Sequence, residues 1–344
     1  MKILHLLQSD RFSGAENVVC QIISMFKDES NIEMVYCSLD GQIREALKER
    51  GIRFIPLKNF SVAEIKQVLK EEKPDIIHAH DMRASFYAAM VCKNIPLISH
   101  IHNNAFDSQE ISPKSIAYMY AAMKAKHILW VSQSSFNGYA FHKFFYKKSE
   151  VLYNIIDIDA VYEKMELDTE KYNFDITYVG RLTYQKNPQR LMNLFCLVKE
   201  KIPNIKIAVV GTGDLEIEIK ELAEEYGLFE NICFLGFQSN PLKIMFDSKV
   251  MVMTSRWEGT PMCALEALAL GVPIVSTPTD GMKDLITSGK NGFLSEDDEI
   301  LAEKIIELVI DTKKQAEISK NAREFSVLYN DMQTYKSTIM QVYK

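Results

Sequence analysis

The chain has 344 residues, 47% hydrophobic and 25% charged, with a net charge of −6. That length exceeds one ordinary core and predicts two domains, while the composition excludes a disordered or fibrous chain. Residues 1–160 carry 19 Lys+Arg against 18 Asp+Glu and the remainder 21 against 28, an acidic balance that excludes a nucleic-acid binder, which needs a concentrated basic face.

Short runs rich in β-branched residues alternate with segments of helical period. KILHLLQ precedes a helix over 15–27, IEMVYCSL one over 42–50, DIIHAH one over 83–93, PLISHIH one over 113–125 and HILWVS one over 133–145. This βα rhythm predicts a parallel sheet covered on both faces. It stops at EVLYN, and the polar stretch 156–173 lacks an apolar period and reads as a linker. The rhythm restarts with DITYVG, KIAVVG, ICFLGF, VMVMTS and PIVST. A second doubly wound domain over 174–328 follows, after a first over 1–155, with a last helix over 329–344 that could pack back on the first domain. Tandem sheets of this kind should enclose a cleft lined by the loops after their strands. Six cysteines stand singly, without a CxxC pair or a secretory leader ahead of them, which predicts reduced, buried thiols in a cytoplasmic protein. No apolar run reaches the roughly 20 residues of a membrane-spanning helix.

Candidate chemistry sits after several strands. Behind KILHLLQ, Gly14 lets the backbone approach a ligand before a helix begins, yet the G-x-G-x-x-G of a dinucleotide fold is missing there. His78 and His80 end one strand and His100 and His102 another, each pair on one face. Four such imidazoles could hold zinc, but nothing in the spacing specifies a site, and His102, furthest out, is the one expected to reach the cleft. Two segments, 114–126 (KSIAYMYAAMKAK) and 142–148 (HKFFYKK), mix bases with aromatics, the composition of a solvated helix face or of a weak contact with an anionic membrane surface. Asp157-Ile158-Asp159 spells a DxD, but in a polar linker, where a metal would lack a rigid scaffold.

After DITYVG, Arg181 and Lys186 share a loop; they are either two solvated surface cations or a fixed pair that can neutralise a leaving diphosphate without a metal ion. Glu258 and Glu266 lie in a stretch otherwise uncharged from Arg256 to Asp280. Thr260 is expected to cap the helix there and Pro261 to open it, which would aim the amides of Met262, Cys263 and Ala264 at an anion. Glu266 has only Met262, Cys263, Ala269 and Leu270 as helical neighbours, so its carboxylate is expected either to be buried and satisfied by a ligand's hydroxyls or to snorkel out to water or meet a structural arginine.

These stretches resemble the retaining, nucleotide-sugar-dependent glycosyltransferases of family 4, with the GT-B fold. The resemblance rests on SGAE at 13–16, PDIIHAH at 74–80, HIHN at 100–103, WVSQSS at 130–135, YNIID at 153–157, VGRLTYQKN at 179–187, VVGTGD at 209–214, FLGF at 234–237, and the E-x7-E pattern of Glu258 and Glu266. It implies that Glu266 binds ribose hydroxyls, Arg181 and Lys186 the diphosphate, and Glu258 with the amides after it the donor sugar. Phe237, Gly259, Thr260, Pro261, Met262, Cys263 and Ala264 complete the donor side. Ser13, Gly14, His80, His102 and Asn103 lie on the acceptor side, with Gly14 near the phosphate or acceptor and His102 near the transferred sugar. The chain departs from the family where Asn154-Ile155 stands for Asn-Gly and Asp280-Gly281 for Gly-Gly, which bears on loop geometry.

The implied reaction takes a sugar, from a UDP-sugar by preference, to a hydroxyl of a glycan or lipid-linked glycan in cell-surface polysaccharide synthesis, with retention and without a metal or other cofactor. The implied site of action is the cytoplasm or the inner face of its membrane. Two rivals remain: a nucleotide-sugar epimerase or phosphorylase of the same architecture, and a non-catalytic nucleotide-sugar-binding protein.

Overall fold

The structure, a computed structural model, describes residues 1–103 and 108–344. The described chain divides into two compact units, residues 1–154 with 332–344, and residues 155–331. In the first unit, strands β1 (Lys2–Leu6), β2 (Glu33–Leu39), β3 (Phe54–Leu57), β4 (Ile76–His80), β5 (Leu97–Ile101), β6 (His127–Trp130) and β7 (Ser149–Val151) form a parallel sheet in the order β3-β2-β1-β4-β5-β6-β7. In the second, β8 (Ile176–Val179), β9 (Ile207–Val210), β10 (Ile232–Gly236), β11 (Val250–Met253), β12 (Ile274–Ser276) and β13 (Gly292–Leu294) follow the order β10-β9-β8-β11-β12-β13.

The strand order of each sheet reverses once, between β1 and β4 and between β8 and β11. At such a switch point the loops after the two strands diverge to opposite faces and leave a crevice, where ligands of open α/β sheets bind. Each sheet is covered on both faces, which is why its strands read as near-continuous apolar runs. In the first unit Leu4, Leu6, Ile77 and Tyr118 belong to the larger cluster, while Leu7, Tyr36 and Ile43 pack in a smaller one. In the second, Ile176, Phe195, Val252 and Ile305 fill the main core.

Several expectations are corrected. Residues 156–173 contain the helix Ile158–Glu166 rather than a plain linker, with Val161 and Met165 buried one turn apart. A two-residue stripe is too narrow to register as a period in so polar a stretch. Asp157 caps that helix, its carboxylate accepting from the Ala160 amide, so half of the DxD has a structural task. The helix expected over 133–145 is broken: Gln133–Asn137 ends before Gly138, and a 3-10 helix follows over His142–Lys148. The strand β3 and the helix Val62–Glu72 went unread, although Ser61, which accepts from the Glu64 amide, marks a helix start in S-x-x-E form. Cys233, expected buried, is exposed because β10 is an edge strand; Cys196 and Cys263 are half-buried, and the other three are buried.

The last helix, Met332–Tyr343, belongs to the first unit and buries Tyr335, Ile339 and Val342 there. Among the described residues, no helix is long and apolar enough to cross a membrane.

Candidate active site

At the switch point of the second sheet, the loop after β8 is stitched to the loop after β11. Thr254 Oγ1 donates to the carbonyls of Lys186 and Asn187, both at 3.1 Å. The Arg256 amide donates to the Gln185 carbonyl at 2.8 Å, and its guanidinium to the Tyr184 carbonyl and Asn187 Oδ1 while stacking on the Tyr184 ring. This lacing brings together two residues 72 positions apart: Lys186 Nζ donates to Glu258 Oε1 at 2.5 Å. Ser255 Oγ donates to the same oxygen at 2.6 Å.

The pair is withdrawn from water, with Lys186 13% and Glu258 6% exposed. Burial by itself would lower the Lys186 pKa, but the facing Glu258 carboxylate outweighs it and the net displacement is upward. Lys186 is therefore a fixed cation at neutral pH. Arg181 stands on the same loop, exposed, with Nη2 donating to Gln185 Oε1 at 3.3 Å.

The helix after β11 runs Met262–Leu270, with Pro261 in the cap position rather than inside the first turn. Pro261 offers no side-chain acceptor and Thr260 is not the cap. The Ala264 and Leu265 amides donate back to the Pro261 carbonyl, so Ala264 does not belong among the outward-facing amides, and Met262 and Cys263 lead the helix end. Its dipole favours an anion in front of that end. Glu266 is half-buried rather than buried: the deeply buried carboxylate of this stretch is Glu258. Cys263 sits half-exposed by the pair, its thiol pushed up to about 12 by burial.

Gly259 and Gly281 explain a departure noted in the sequence. A Cβ on Gly281 would sit 1.3 Å from the Gly259 carbonyl oxygen, so only the second glycine of the family's pair is indispensable here, and Asp280 opens the helix Asp280–Leu285 without conflict. Phe237, half exposed, follows the edge strand β10.

The switch point of the first sheet carries the other candidates. Ser13 precedes the helix Gly14–Met25, and its hydroxyl donates to Glu16, a buried carboxylate the sequence reading missed. Gly14 has no positive φ, and a Cβ added to it would meet nothing within 4 Å. The protein itself does not require glycine there. His80 ends β4, and His102 and Asn103 follow β5, both half-exposed. The His102 amide donates to Asp81 Oδ1 at 3.0 Å, and Asp81 holds a left-handed φ of 67° to do so, a conformation that costs a non-glycine residue on the order of 1 kcal/mol.

His5, which the sequence reading passed over, joins His78, His80, His100 and His102 on one face of β1, β4 and β5. His5 pairs in register with His78, and His80 with His100. Burial drives His5 and His102 down to about 3 and the other three well below the usual imidazole value. Two triplets, His5/His78/His80 and His80/His100/His102, have ligand atoms within 4.8 Å of one another. Their geometry is nonetheless that of ring-to-ring hydrogen bonds. The His80 Nδ1 to His102 Nε2 separation is 2.8 Å, whereas two nitrogens on one tetrahedral zinc at 2.0–2.1 Å stand roughly 3.3 Å apart.

Residues 163–325 match the family described as "Glycosyl transferases group 1", and residues 12–160 that described as "Glycosyltransferase Family 4". The chain belongs to the family 4-like glycosyltransferases of the GT-B fold. An uncharacterised glycosyltransferase of Methanocaldococcus jannaschii is 31% identical to this family member over 62% of the chain and 58% of its own length. An Escherichia coli protein named UDP-Gal:alpha-D-GlcNAc-diphosphoundecaprenol alpha-1,3-galactosyltransferase is 25% identical over 86% and 84%. The chain thus spans 58% of the length of the first of these relatives and 84% of the second. In fold, this glycosyltransferase resembles Anabaena HepE, solved with UDP and glucose, with a TM-score of 0.85 at 24% identity over 99% of this chain and 98% of the other.

Proposed function

We propose that this chain transfers a sugar from a nucleoside diphosphate, UDP by preference, to a hydroxyl of a glycan or lipid-linked glycan in cell-surface polysaccharide synthesis, retaining the anomeric configuration. The observation that carries the reading is the buried Lys186–Glu258 pair beside Arg181, at the switch point of a parallel sheet and next to a helix N-terminus. The E. coli relative's name specifies a UDP-sugar and a diphosphoundecaprenol-linked acceptor, and HepE was solved with UDP.

In this reading Arg181 and Lys186 hold the diphosphate, and the charge they supply grows in value as the sugar–oxygen bond breaks and the electron pair stays on the diphosphate. The acceptor oxygen bonds to the anomeric carbon from the face the diphosphate leaves, and its proton passes to the departing phosphate oxygen. Glu258 orients Lys186 and meets the donor sugar. Glu266 accepts from the ribose hydroxyls, and the Met262 and Cys263 amides face the anion, with Gly259, Thr260 and Pro261 shaping that loop and Phe237 completing the donor side. Ser13, Gly14, His80, His102 and Asn103 serve the acceptor side, where the open space before Gly14 suits close approach of a ligand. No metal ion or other cofactor is required, because two fixed cations balance the diphosphate.

The thermal midpoint should rise with UDP and not with NAD, since a ligand at a hundredfold excess over its Kd adds about 2.7 kcal/mol. Glu266→Ala should reduce that rise far more than it lowers the unliganded midpoint. Transfer from an α-linked UDP-sugar should continue in a chelator and yield an α product; a β product overturns retention, and a shift with NAD alone overturns the transferase reading.

The first unit also supports peripheral contact with the inner face of the cytoplasmic membrane. On the helix Pro113–Lys124, Ile116, Tyr120 and Met123 are exposed at one helical face, 48%, 37% and 57%. Lys148 Nζ donates to the Met123 and Ala125 carbonyls and so ties to that helix the 3-10 segment bearing exposed Phe144 and Tyr146. Lys114, Lys124, Lys143 and Lys147 are exposed on the same two segments, a pairing of apolar area with positive charge that favours anionic lipid. Vesicles containing phosphatidylglycerol should sediment the protein where phosphatidylcholine vesicles do not, and Phe144→Ser with Tyr146→Ser should release it. Equal recovery with both lipids, or none with either, removes this contact.

A further inference from the structure

His80 uses both ring nitrogens on other histidines. Its Nε2 lies 3.0 Å from His5 Nδ1, and its Nδ1 lies 2.8 Å from His102 Nε2. The three residues come from β1, β4 and the end of β5, so the sheet's switch point and the two-residue strand period create the row. His5 and His80 are 0% and 2% exposed, and the two outer nitrogens of the row, His5 Nε2 and His102 Nδ1, are buried without a protein partner among the described residues.

A neutral imidazole carries one N–H and one lone pair. A row of three neutral rings therefore has two consistent arrangements. In one, His5 Nδ1–H donates to His80 and His80 Nδ1–H donates to His102, which leaves His102 with its proton on Nδ1. In the other, His102 Nε2–H donates to His80 and His80 Nε2–H donates to His5, which leaves His102 Nδ1 as a lone pair. Any mixture sets two N–H groups or two lone pairs face to face in a buried place, and an unmade buried hydrogen bond costs roughly 1–3 kcal/mol. Burial keeps the rings uncharged, so adding a proton is not an easy escape.

We propose that His80 is a positioning residue that couples the tautomer of His102 to that of His5, so that the three rings take up one of the two arrangements as a unit. Asp81 completes the device by holding the His102 backbone amide. The catalytic consequence rests on the reading of His102 as the residue nearest the transferred sugar; the tautomer itself does not.

The test is a long-range nitrogen–proton correlation spectrum of the full-length 15N-labelled protein, in which the two nitrogens of His102 report the tautomer directly. The wild type is expected to show one neutral tautomer and a coupling across the His80 Nδ1 to His102 Nε2 hydrogen bond. His80→Phe keeps the stacked ring and removes both hydrogen bonds, and should shift the two His102 nitrogen signals toward an average of tautomers. His80→Asn, whose amide can stand where Nδ1 was, should restore a single tautomer. In transfer assays His80→Phe should lower kcat more than it raises KM. An unchanged His102 pattern in His80→Phe overturns the proposal. So does a missing coupling in the wild type, a measurement that stands even if the variant does not fold. Stoichiometric displacement of the His80 and His102 signals by micromolar zinc would replace the row with a metal site. Intact tautomer control without any glycosyl transfer would instead leave the proposal standing and remove the proposed reaction.

Discussion

Lys186→Met is expected to destabilise the second unit by about 3–5 kcal/mol, because it strands the Glu258 carboxylate where water cannot reach it. Glu258 is 6% exposed, and Ser255 Oγ remains as a partner but carries no charge. In a unit of this size each kcal/mol lowers the thermal midpoint by roughly 2–4 °C. Combining Lys186→Met with Glu258→Gln removes both charges and should recover most of that loss. Transfer activity should not recover, since the cation offered to the diphosphate is gone; removal of one such stabilising group costs about a hundredfold to a thousandfold in kcat. Recovery of activity in the double variant would show that the pair is purely structural. The pair also has a pH signature. Lys186 has a folded pKa raised above its unfolded value, so its stabilisation is fully present below the unfolded lysine pKa and is lost as pH rises through the raised folded value. The second unit should therefore weaken only in strong alkali.

Mild acid should unfold the first unit while sparing the second. Five histidines of the first unit have folded pKa values pushed down by burial, His5 and His102 to about 3. The unfolded chain binds protons near pH 6.5 and the folded unit does not, so stability falls as pH drops below that value. Each histidine contributes up to about 1.4 kcal/mol per pH unit, and five together up to about 10 kcal/mol by about pH 5, the size of a domain's whole stability. All seven histidines lie in residues 1–154, which confines the effect. The two tryptophans separate the units: Trp130 is buried in the first and Trp257 lies in the second. With Trp257→Phe, Trp130 fluorescence should report a steep transition between about pH 6 and pH 4.5, and His100→Phe should move it to lower pH. A flat signal down to pH 4 would mean that water or a bound ligand satisfies the cluster and lets it charge in place.

Much of the fold and part of the site are legible in the sequence for a local reason. Strand and helix periods are properties of adjacent residues, so KILHLLQ, DIIHAH and VMVMTS announce strands without reference to anything distant. Arg181 and Lys186 share one short loop, and Glu258 and Glu266 stand eight apart across one loop-to-helix junction. The helix Ile158–Glu166 and the strand β3 escape because their apolar positions are too few to make a period.

By itself, then, the sequence determines the βα alternation, the loops that carry charge after each strand, and the family pattern those loops resemble. Tertiary structure alone decides which of those groups meet. Lys186 finds Glu258 because β8 lies beside β11, and His5 finds His80 because β1 lies beside β4. His78 Nδ1 meets the Tyr343 hydroxyl across 265 residues at 2.7 Å. It also decides that Glu258, not Glu266, is the buried carboxylate, and that Gly281 must be glycine because the Gly259 carbonyl occupies the place of its Cβ. The physical reason is the same throughout: period and propensity act along the chain, whereas burial, pairing and close approach depend on which strand the sheet sets next to which.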